Sequence, residues 1–180
     1  MVYWVLRDQN PMNHWKYTPA MVAASVLIVA QYILAFFIFK LSGVRVLQWI
    51  GWITWLVSMY FGIAPIYIFR KKGGVPAGES YMKTTRLVDS GPYAIIRHPQ
   101  YMAGVLLGIS MMLLSQHWLV IALGVISVVL FYHDIQKADR EGIEKFGDEY
   151  LAYMEKVPRS NFILGIVRWL RRSSSESEHK

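Results

Sequence analysis

No cysteine occurs in the chain. That absence excludes disulfides, zinc–thiolate sites, thiol nucleophiles and prenylated or palmitoylated cysteine anchors. Charge is scarce as well. Only 17% of the 180 residues are Asp, Glu, Lys or Arg, against about 25% in an average soluble chain. The shortage is uneven: no acidic residue lies from Gln9 to Gly78, and none from Ser90 to His133. The sequence also lacks a zinc-binding HExxH, a nucleophile elbow and a phosphate-cradling glycine loop. Its histidines are too scattered for a haem or metal site, so no metal is expected. What is present is apolar. Hydrophobic residues make up 54%, with seven Trp, eleven Tyr and eight Phe. A disordered chain is poor in such residues and is excluded. A soluble globular domain is disfavoured, and the length suits one domain.

The hydrophobic map predicts an all-α integral membrane protein. Residues 18–39 and 46–69 are uncharged runs, each longer than the roughly 20 residues that cross a bilayer core about 30 Å thick. The first begins too late, and lacks the small-residue cleavage site, for a removable signal peptide. From Tyr101 to Tyr132 the chain is again uncharged, broken only by the polar Ser115-Gln116-His117. One helix of that length overshoots a bilayer. The reading is a hairpin of two short helices, 101–115 and 118–132, which brings the spans to four. Residues 70–100 then form a loop, 133–172 carry polar helices, and 173–180 form a disordered tail. The loop side and both termini hold 17 of the 19 Lys and Arg residues, and the opposite side holds only Lys40 and Arg45. The positive-inside rule therefore places the termini and the loop in the cytoplasm. The same asymmetry assigns the net charge of +7 to topology and anionic lipid rather than to nucleic acid.

Several features read as packing or interface. Trp49, Trp52 and Trp55 suit lipid or helix contact, Pro65 a kink, and His14, His117 and His133 ordinary surface positions. Gly104 and Gly108 allow a second helix backbone to approach, within the monomer or between monomers, which leaves the oligomeric state open. Residues 161–172 read as a basic amphipathic segment on the cytoplasmic leaflet.

Polar chemistry gathers from Arg70 onward. Arg97-His98-Pro99-Gln100-Tyr101 stands directly before an apolar helix, and Pro99 suits its first turn. After the fourth span comes His133-Asp134, then a charged helix over about 135–156, in which Asp134, Glu141, Glu144 and Asp148 share a face. On these residues alone, a lipid-headgroup contact for the Arg–His pair and a solvated face for the charged helix remain open alternatives.

The order of the pieces adds more. Gly91-Pro92-Tyr93, Arg97-His98-Pro99-Gln100-Tyr101, an apolar hairpin, an acidic stretch, Phe146-Gly147-Asp148-Glu149-Tyr150 with Tyr153, and Val157-Pro158-Arg159 follow one another. Over Leu87 to Arg159 the chain resembles the membrane methyltransferases that include isoprenylcysteine carboxyl methyltransferase and the phospholipid N-methyltransferases. The resemblance implies S-adenosylmethionine as methyl donor and a lipophilic or lipidated acceptor entering from the bilayer, with a carboxylate, amine or thiol to be methylated. It implies that His98, Tyr101, Gly104, Asp139 and Tyr150 bind the cofactor, and that Arg97 and Glu141 act on the substrate. The family usually carries an acidic pair at the positions of Ala138 and Asp139, and an apolar residue at Gly142. Here only Asp139 is acidic, and Asp139 or Glu141 takes the missing role. An NADPH-dependent reductase of the sterol-reductase type and a non-catalytic membrane scaffold are the alternatives.

Overall fold

A computed structural model describes residues 18–80 and 83–178; Arg7, His14, Lys16 and Lys180 lie outside them. Among the described residues there are six α-helices and no strand. Helix α1 (Pro19–Ile33) starts with Pro19 in its first turn, and the Thr18 hydroxyl caps it by accepting from the Met21 amide at 2.9 Å. It continues as a π-helical turn over Leu34–Ile38. Helix α2 (Arg45–Lys72) contains Pro65 and ends in Arg70, Lys71 and Lys72, cations that suit the negative end of a helix dipole. A 3-10 turn (Gly91–Ala94) precedes α3 (Pro99–Ser115), which opens on Pro99. Helix α4 (Trp118–Phe146), α5 (Asp148–Lys156) and α6 (Phe162–Glu178) complete the chain. Pro19–Ile38, α2 and α4 are long and apolar enough to cross a membrane, and α3 is a shorter apolar helix. The architecture is that of an all-α integral membrane protein.

The hairpin turns at Gln116, whose backbone is left-handed (φ 53°). Its side-chain amide accepts from the Val44 amide at 2.9 Å and donates to the Val44 carbonyl at 3.0 Å. The hairpin is thereby fastened to the start of α2. His117 stacks on Phe39 with ring centroids 3.6 Å apart. Small residues set the helix spacing. Gly51 of α2 abuts Leu114 of α3, and the Ser58 hydroxyl donates to the Ala103 carbonyl at 2.8 Å. Gly104 and Gly108 of α3 receive Phe131 and Ser127 of α4. Fully buried Gln31 of α1 donates to the Val120 carbonyl of α4 at 2.9 Å.

Three expectations change. The second helix of the hairpin is not short, because α4 passes through residue 132 without a break to Phe146. No proline lies between Trp118 and Phe146, and the helix stops only where Gly147 takes φ 55°, a conformation that favours glycine. At about 1.5 Å per residue its 29 residues span about 44 Å, so its last turns stand beyond a bilayer core. The same break puts Asp148 at the start of α5 rather than on the face of Asp134 and Glu141. Finally, α6 continues through Ser173 to Glu178, where a disordered tail is expected.

Candidate active site

The site lies where α3 begins and where α4 emerges from the apolar layer. Asp139, on the emerging part of α4, is its centre. Both of its oxygens are engaged, by four side chains from four positions in the chain. Arg97 donates from Nε to Oδ1 at 3.1 Å and from Nη2 to Oδ2 at 2.9 Å. This two-pronged geometry matches guanidinium to carboxylate. His98 Nε2 is 2.7 Å from Oδ1, the Tyr150 hydroxyl donates to Oδ1 at 3.1 Å, and Arg159 Nε donates to Oδ2 at 2.6 Å. The remaining Arg97 nitrogen, Nη1, donates to the Met154 and Val157 carbonyls at 3.0 and 3.1 Å. The Arg97 amide itself donates to the Pro158 carbonyl at 3.1 Å. The segment after α5 is thus stitched to the residue before His98.

Local sequence explains the delivery of each group. Gly91-Pro92 starts the 3-10 turn, with φ 63° at Gly91. The turn places Tyr93 against Phe69 of α2, with stacked rings 4.8 Å apart. The Tyr153 hydroxyl donates to the Tyr93 carbonyl at 2.7 Å and ties α5 to the same turn. Pro99 starts α3 at once, so His98 is held at its N-cap. On α4, Gly142 lies under the Tyr150 ring so closely that a Cβ there would overlap it. That absence lets the ring cross the helix and deliver its hydroxyl to Asp139.

Burial is the chief influence on His98 and pushes its pKa down, against the opposing pull of Asp139. The imidazole is therefore neutral near pH 7. With Asp139 a carboxylate held by two arginines, the His98 proton sits on Nε2 and Nδ1 keeps a lone pair. Burial likewise pushes the Tyr150 and Tyr153 phenols up, so both remain donors. Two guanidinium groups face one carboxylate, so the cluster carries a net positive charge of about one.

Next to the cluster is a cavity lined by aromatic and apolar side chains, among them Tyr93, Tyr101, Phe146 and Tyr150, with Ala138 and Gly142 forming its α4 wall. His98 and Arg97 border it. The structure therefore brings Arg97, His98, Tyr101, Asp139 and Tyr150 together. It places two other candidates elsewhere. Gly104 faces the Phe131 ring between α3 and α4. Glu141 lies on the neighbouring face of α4, with Lys137 Nζ 3.7 Å away. Arg97 is turned towards Asp139 and the carbonyls of Met154 and Val157 at the end of α5, so its effect on a ligand passes through Asp139. Arg159, Tyr153 and Gly142 join the site, although the sequence motifs that contain them assigned none of them a role there. For Arg159 the signal was its place in Val157-Pro158-Arg159.

Asp134 has a separate partner. It is buried and accepts a hydrogen bond from the Thr18 hydroxyl, which ties the start of α1 to α4.

No curated protein and no solved structure shows significant similarity to the chain. A family model does match. It covers residues 79–142, which include Arg97, His98, Tyr101, Asp139 and Glu141 and end before Tyr150. The matching model is that of the isoprenylcysteine carboxyl methyltransferase (ICMT) family, so over this stretch the chain is similar to that family.

Proposed function

We propose that the chain transfers a methyl group from S-adenosylmethionine to a lipophilic acceptor that reaches the cavity from the bilayer. The observation that carries this reading is the aromatic cavity beside a buried Arg97–Asp139–His98 cluster, set where α3 enters and α4 leaves the apolar layer. The donor set fits the cofactor's chemistry. Aromatic faces at Tyr101, Phe146 and Tyr150 suit an adenine ring and a sulfonium. The excess positive charge, with Arg159 as its more exposed member, suits a carboxylate. For the ammonium we assign Glu141, on the neighbouring face of α4, in the absence of an acid at Ala138.

When bound, the cofactor supplies a methyl group already activated by its sulfonium. The work left to the protein is positioning and exclusion of water. Asp139 holds Arg97, His98, Tyr150 and Arg159 in fixed relation, and Tyr93, Phe146 and Tyr153 keep the cavity apolar. A carboxylate acceptor needs no proton removed. For an amine or thiol acceptor, the Nδ1 lone pair of neutral His98 takes the proton while Asp139 steadies the imidazolium that forms.

Binding in lipid nanodiscs tests the reading. S-adenosylmethionine and its demethylated product, S-adenosylhomocysteine, should both saturate, and NADPH should not. Tyr101→Ala should weaken both by at least tenfold while the melting temperature stays near that of the parent. Binding of NADPH alone would transfer the chain to reductase chemistry. Undiminished cofactor binding in Tyr101→Ala would remove the cavity from the reading.

A further inference from the structure

Helix α6 lies outside the bundle of spans, yet the side it turns away from the protein is apolar. Its inner side is docked. The Gly165 backbone abuts the Ile95 carbonyl with no room for a side chain. Phe162 packs edge-on against Phe61 of α2 at 4.9 Å, and Arg172 donates to the Ala94 and Lys156 carbonyls at 2.8 and 2.9 Å. At 100° per residue, Ile163, Ile166, Val167 and Leu170 fall on the opposite side. They are exposed by 78%, 43%, 40% and 52%.

Depth and charge select what covers that stripe. Counted from Arg45, Phe61 lies about 24 Å along α2 at about 1.5 Å per residue, within a hydrocarbon core about 30 Å thick. The first turn of α6 is therefore level with the boundary of the apolar layer. Residues 162–172 also contain three arginines and no acid. Arg168 and Arg171 are both exposed.

From this geometry we infer that α6 is an interfacial helix bound to anionic phospholipid of the leaflet at the basic end of the spans. Ile163, Ile166, Val167 and Leu170 lie among the acyl chains, and Arg168 and Arg171 lie at the phosphates. The docking bears on the cavity through the strap that joins α5 to α6. That strap supplies the Val157 and Pro158 carbonyls held by Arg97, and Arg159, which holds Asp139. Lipid bound to α6 therefore steadies the same cluster.

The absence of cysteine makes the test direct. Single substitutions Ile163→Cys, Ile166→Cys, Leu170→Cys and Arg171→Cys in the full chain would each carry a spin label, in nanodiscs of phosphatidylcholine with or without phosphatidylglycerol. Collisions with oxygen and with a water-soluble nickel chelate would then be compared. The first three labels should favour oxygen and the label at 171 the chelate, and phosphatidylglycerol should strengthen the oxygen preference. Arg171→Glu in the Ile166→Cys chain should reduce the docked-to-undocked ratio by more than about fivefold, because loss of the cation alone is worth about 1 kcal/mol at an anionic surface and the new carboxylate adds repulsion. Chelate preference at all three stripe positions would overturn the inference. So would spin–spin broadening that disappears on dilution with unlabelled protein, since a second copy would then cover the stripe. Indifference to phosphatidylglycerol and to Arg171→Glu would overturn the anionic-lipid assignment. The readout needs neither methyl donor nor acceptor, so its failure and that of the methyl-transfer reading are separate.

Discussion

Asp139→Ala removes the carboxylate on which four side chains converge, and its cost can be worked from burial. The Arg97 side chain is 7% exposed and that of Asp139 is 4% exposed. Without Asp139, the Arg97 guanidinium stays buried with only the Met154 and Val157 carbonyls as partners. Breaking a buried ion pair by removing one partner costs about 3–5 kcal/mol, because the other charge is left uncompensated. The Arg159 side chain is 38% exposed, so its loss from the cluster adds at most about 1 kcal/mol. In a chain of this length, 1 kcal/mol moves the melting temperature by about 2–4 °C. The expected fall is therefore about 6–24 °C, read by thermal unfolding in nanodiscs through tryptophan emission. Asp139→Asn should fall between parent and Asp139→Ala, because its amide oxygen still accepts while the charge is gone. Arg159→Ala should shift melting by no more than about 4 °C. If Asp139→Ala melts within about 3 °C of the parent, the cluster is not a buried ion-pair hub and the positioning role of Asp139 fails.

Two further outcomes follow from the same site. Gly142→Ala should destabilise by about 1–3 kcal/mol through overpacking against the Tyr150 ring, and by much less in a Tyr150→Ala background; equal cost in both backgrounds would separate Gly142 from Tyr150. The pH dependence has a definite sign. His98 has a folded pKa below its ordinary value, so the unfolded chain takes up the proton first as pH falls through about 6.5. Its contribution is therefore lost on acidification below that point. Melting should drop between pH 7.5 and 5.5, and His98→Gln, which keeps a donor near Asp139 but does not titrate, should flatten that part of the profile.

Sequence alone determined the membrane class, because crossing a bilayer requires a continuous apolar run and such runs are local. It likewise determined the hairpin turn, where Ser115-Gln116-His117 is the only polar interruption, and the start of α3 at Pro99. The motif order pointed to Arg97, His98, Tyr101, Asp139 and Tyr150 before any contact was visible. The full length of α4 is not legible in the sequence, because a change from apolar to charged residues marks the edge of a membrane, not the end of a helix. Only a backbone break such as Gly147 ends it. Tertiary structure decided the rest. Whether Asp139 meets Arg97, His98, Tyr150 and Arg159 depends on how α3, α4 and α5 cross, and small residues at distant positions set that crossing. Gly104 could have faced a ligand or a helix by its spacing alone; the Phe131 ring assigns it to packing. Gly142 in sequence is merely a missing side chain, and the folded chain gives it a purpose because the Tyr150 ring occupies that space. Motif spacing names residues that can meet, but helix packing fixes which atoms do.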